Sequence, residues 1–128
     1  MHSNRVIWCD RGWMPTFYGF CPSETAWKRE MKRLGVKDAE YPTTDGKASQ
    51  FLEDGKNCVL VTIAERLDKK RDRLGIVSLI VHEATHVWQH VRRDIGETEP
   101  STEFEAYAMQ SIVIQLCAAY SKTRWALG

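Results

Sequence analysis

The chain has 128 residues, a length that fits one domain and is enough to bury a real core. Hydrophobic residues make up 43% and charged residues 27%, which excludes a disordered segment. Its 18 Lys and Arg nearly balance 17 Asp and Glu, so bulk charge suggests neither a nucleic-acid nor a membrane partner.

The opening MHSNRVIWCDRGW has no apolar run of signal-peptide length, and no later segment approaches about 18 apolar residues. A soluble, cytoplasmic protein is the expectation. RVIWCD (5–10) reads as a short strand, and RGWMPTFYGFCP as the loop after it. That loop holds Trp13, Phe17, Tyr18 and Phe20, so it either packs onto the core or forms a substrate-binding wall. SETAWKREMKRLG (23–35) is a helix with both ends marked, Ser23 capping its start and Gly35 closing its last turn. Trp27, Met31 and Leu34 make its apolar stripe, and Lys28, Arg29, Lys32 and Arg33 a solvated face.

The stretch 41–65 carries β signals. Asp45-Gly46 and Asp54-Gly55 are turn dipeptides, the second separating ASQFLE from NCVLVTI as in a hairpin. Val59, Val61 and Ile63 alternate with Leu60 and Thr62, giving one β-branched face. RLDKKRDRLG is a charged loop or short helix. From about Ile76 to Arg93 the period becomes helical, with Ile76, Leu79, Ile80, Glu83, Val87 and Val91 in one stripe and Gly96 just past the end. After the polar DIGETEP comes a last helix marked by Met109, Ile112, Val113 and Leu116. The order predicts a single α+β domain spanning 1–128, with a small antiparallel or mixed sheet packed on the last two helices. Five tryptophans are expected in its core. Cys9, Cys21, Cys58 and Cys117 are scattered without a CxxC pair, and read as buried thiols rather than disulfides or a zinc site.

VHEATHVWQH (81–90) holds three of the four histidines. Side chains four apart share a helix face, so His82 and His86 can grip one Zn2+. Glu83 stands beside that face, where it can take a proton from water without being a ligand. Because the motif sits in an apolar stripe, both imidazoles are expected to be half-buried. His90 reads as a surface or supporting residue rather than a ligand.

His82–His86 followed by a Glu-bearing helix resembles the zincin metallopeptidases, specifically the gluzincin branch to which thermolysin belongs. The metzincin branch is out, since Gln89 and Arg92 stand where that pattern has glycine and histidine. The resemblance implies a third ligand on the last helix. Glu103 and Glu105 are roughly 200° apart around it, so only one can face the metal. Glu103 is preferred, with Ala106 and Tyr107 three and four residues on and Thr102-x-x-Glu105 readable as a capping box. Tyr107 could support a histidine or pack between helices. The function implied is a zinc peptidase acting on a protein or peptide, with 58–63 as the strand along the cleft. A zinc-stabilised binding or assembly module and a metal-dependent amidase acting on cell-wall material stay open as alternatives.

Overall fold

The structure, a computed structural model describing residues 4–52 and 57–125, contains four strands and four helices. In chain order these are β1 (Ile7–Trp8), β2 (Phe17–Cys21), α1 (Glu24–Leu34), β3 (Gly46–Phe51) and β4 (Cys58–Ile63). Then follow α2 (Leu67–Lys70), α3 (Arg73–Asp94) and α4 (Thr102–Arg124). The strands form one mixed sheet in the order β1-β2-β4-β3. β2 and β4 run parallel, and the two outer pairings are antiparallel. The α+β expectation with a small mixed sheet holds.

The layers follow from the alternation in β4. Val59, Val61 and Ile63 pack with Ile76, Ile80, Val87, Ile112 and Leu116 of α3 and α4. Cys58 and Leu60 pack on the opposite face with Trp27, Met31 and Leu34 of α1. The sheet therefore lies between α1 and the long helix pair. Of the tryptophans, Trp27 and Trp88 are buried, but Trp13 is 53% exposed, so not all of them serve the core. Among the described residues the four cysteines are thiols rather than disulfides; Cys21 and Cys58 are buried, Cys9 and Cys117 half-buried. Among the described residues, no helix is long and apolar enough to cross a membrane.

Sequence periodicity misses β2, which lies inside the expected loop. A strand paired on both edges and covered on both faces has no polar side to alternate with, and Tyr18 to Cys21 are all buried. Gly19 sits there because β1 passes so close that a Cβ would come within 2.8 Å of the Ile7 carbonyl oxygen. The hairpin is real: β3 and β4 pair from Gly46↔Ile63 to Phe51↔Cys58. The Asp54-Gly55 turn lies outside the described residues.

Helix ends obey their local chemistry. The Ser23 hydroxyl accepts from the Ala26 amide at 3.1 Å, and Gly35 takes φ 74°. Asp72 caps α3 through the Gly75 amide at 2.8 Å, so that helix starts three residues before its apolar stripe. At α4 the cap is Ser101, which accepts from the Phe104 amide. Thr102 is thus inside the helix, and Thr102-x-x-Glu105 is not a capping box.

Arg124, which no sequence pattern singles out, is buried at the end of α4. Its guanidinium donates to both Asp68 carboxylate oxygens, to the Ile63 and Ala64 carbonyls at 2.8 and 3.0 Å, and to the Pro22 carbonyl. It thereby ties α4 to α2 and to the ends of β2 and β4. Arg124→Met keeps the apolar stem but leaves Asp68 and three carbonyls short of donors. The expected loss is about 3–5 kcal/mol, the cost of breaking a buried ion pair from one side. A midpoint in urea unchanged from the parent would refute this.

Candidate functional site

His82, His86 and His90 follow one flank of α3, each roughly 40° around from the one before. The core side of that helix is set by Ile76, Ile80, Ala84, Val87 and Val91. His82 and His86 fall outside it and are exposed, not half-buried as the apolar context predicts. Their ring centroids are 5.0 Å apart with planes at 77°. The His86 Nδ1 lies 3.0 Å from the Gln89 Oε1. That contact occupies Nδ1, so Nε2 is the ring nitrogen left for a metal.

Glu83 behaves differently. It is only 4% exposed, held between α3 and the start of β3. Gly46 makes this possible, since a Cβ there would lie 2.9 Å from the Glu83 Oε2 and 3.3 Å from its Cγ. The sequence reading assigns Gly46 to a turn; the structure makes it the first residue of β3, where the carboxyl needs space. Burial pushes the Glu83 carboxyl above the usual carboxylate range, and the two imidazoles beside it draw it partly back. At His90, burial and then Arg93 and His86 lower the imidazole, against an opposing pull from Asp94. Its Nδ1 is buried and has no hydrogen-bond partner among the described residues.

All four side chains line a cleft of about 370 Å³ with Thr44, Gly46, Lys47 and Ala48. A neighbouring space of about 420 Å³ shares Lys47, Ala48 and His90 and continues to Phe51 and Trp27. The sequence reading puts 58–63 along this cleft. The structure corrects that: β4 is paired on both edges, whereas β3 ends the sheet beside the histidines.

The acidic residues of α4 separate as the helix geometry requires. Ala108, Ile112, Leu116 and Ala119 mark its buried face, and Glu105 precedes Ala108 by three on that side. The Glu105 Oε2 accepts from the Trp88 Nε1 at 2.7 Å and lies 3.9 Å from the Arg92 Nη1. Glu103, the preferred third ligand, is exposed and points to the other side of α4. Among the described residues, no third His, Cys, Asp or Glu is gathered with His82 and His86. Tyr107 is 66% exposed and packs into neither helix, contrary to both of its expected roles.

Thr44, Lys47 and Gln89 are the lining and supporting residues that sequence reasoning passes over. Gln89 is visible as the third residue after His86, within reach on the same helix.

Comparison with protein-family models, with curated proteins and with solved structures gives no match for this chain. The chemistry therefore rests on the donor set. Two imidazoles on adjacent turns, one of them oriented through Nδ1 by Gln89, suit zinc as two of its protein ligands. The cradle at Gly46 leaves a carboxyl beside them without making it a ligand.

Proposed function

We propose that the protein is a zinc-dependent peptidase, with His82 and His86 as metal ligands and Glu83 as general base. One observation supports it most: a buried carboxyl lies beside an exposed imidazole pair, at a sheet edge with no further strand among the described residues. Zinc, when bound, supplies a Lewis acid that polarises a carbonyl and makes water acidic near neutral pH. Glu83 takes the proton as water adds to the carbonyl carbon. It returns that proton to the nitrogen as the C–N bond breaks. The outer edge of β3 offers backbone donors and acceptors to an extended chain, so a protein or peptide is the fitting substrate. Among the described residues no third protein ligand stands with His82 and His86: Glu105 is held by the Trp88 indole, roughly 200° around α3 from His86, and Glu103 lies on the exposed side of α4.

The test is metal content together with cleavage. The purified protein is expected to hold about one zinc per chain by elemental analysis, as a catalytic site does. It should cleave an unfolded protein, lose that activity to a chelator and regain it with zinc. Zinc retained without cleavage of any unfolded protein would instead mark a zinc-stabilised binding module. Cleavage of cell-wall amides alone would mark an amidase.

A further inference from the structure

α4 is apolar on two sides, and only one of them is covered. Phe104, Tyr107, Ser111, Ile114, Ala118 and Lys122 fall within an arc of roughly 80° on the flank away from the buried face. All six are exposed, Tyr107 at 66% and Ile114 at 63%. Exposed Trp13 extends the patch by packing on Phe104, with ring centroids 5.2 Å apart. Scattered surface apolar residues need no explanation, but a contiguous aromatic stripe on a long helix marks a contact surface.

The order of side chains along the stripe selects the occupant. Ser111 is its midpoint. Phe104 and Ala118 stand seven residues to either side, large against small, and Tyr107 and Ile114 stand four and three residues away. Turned end for end, the stripe is complementary to itself. Phe104 meets the partner's Ala118, Tyr107 meets the partner's Ile114, and the small Ser111 lets the backbones approach at the crossing. Beside Ser111 and Ile114 lies a cavity of about 200 Å³, also lined by Trp13, which this register offers to the partner's Tyr107. The charges follow the same symmetry. Glu97, Glu99 and Glu103 crowd the start of α4, whereas exposed Lys122 lies near its end. An antiparallel pairing brings the partner's Lys122 to the stretch between Glu99 and Glu103, opposite charge to opposite charge. A parallel pairing would set acid on acid.

We infer that the exposed stripe of α4 binds a second copy of this chain, as a two-fold antiparallel helix pair crossing at Ser111. The contact is isologous, so it closes at a dimer. It involves one helix and one loop per copy, and its dissociation constant is expected on the order of 10 μM, as suits a small interface.

Sedimentation of the full chain across that concentration range tests the surface, and cysteine cross-linking tests the register. Monomer passing to dimer is the expected result. Tyr107→Asp with Ile114→Asp should leave a monomer whose far-UV circular dichroism matches the parent. Ser111→Cys places the two thiols at the axis, within the 4.4–6.8 Å Cα separation a disulfide needs, so oxidation should give a covalent dimer. Ala118→Cys places them about 21 Å apart along the helices and should stay uncrosslinked, as should the parent. A monomer at all concentrations overturns the proposal. So does a dimer that survives the double substitution, or cross-linking at Ala118→Cys as readily as at Ser111→Cys.

Discussion

Glu83→Gln is expected to keep zinc and fold while losing at least about 100-fold in kcat, the contribution of a general base. The substitution conserves volume, and the space left by Gly46 accepts an amide as readily as a carboxyl. What disappears is the ability to take a proton. Glu83 is nearly enclosed yet next to two imidazoles, so its carboxyl meets water only at the cleft. That placement suits a group which moves a proton and returns it. Gly46→Ala gives a second reading of the same carboxyl. Its Cβ would lie 2.9 Å from the Glu83 Oε2, so the carboxyl must move, and turnover should fall with zinc content unchanged. Elemental analysis with single-turnover kinetics separates the two effects. A Glu83→Gln protein that loses its zinc would show that Glu83 is a ligand or a structural group, and the proposed role would fail.

The residues that carry periodicity were legible, and those that depend on neighbours distant in sequence were not. α1 could be read with both caps because Ser23 and Gly35 act on their own turn. The helix of His82 and His86 was equally plain. β2 was hidden because burial on both faces removes the alternation that reveals a strand. The choice of β4 over β3 as the cleft strand failed for a related reason. Six buried residues make β4 conspicuous, but they also make it central, and an edge strand is less apolar by nature. Exposure of the two imidazoles was misjudged because a stripe reads as a whole, while each ring turns on its own angle. Arg124 had no signal at all, since its partners are more than 50 residues away in sequence.

Replacing both His82 and His86 with alanine is expected to abolish stoichiometric zinc binding, because both proposed imidazole ligands are lost. The two acidic residues of α4 stand away from that pair. Glu105 is held by the Trp88 indole, roughly 200° around α3 from His86. Glu103 lies on the exposed side of α4. Glu105→Ala and Glu103→Ala are therefore both expected to leave zinc affinity nearly intact. Glu105→Ala should instead cost about 1.5–3 kcal/mol of stability, the worth of the charged hydrogen bond that the Trp88 N–H loses. Competition titrations against a zinc chelator, at one pH for all variants, measure the first effect and urea unfolding the second. A steep loss of zinc in either single variant would make that carboxylate the third ligand, and the start of α4 would then have to turn toward the cleft on binding.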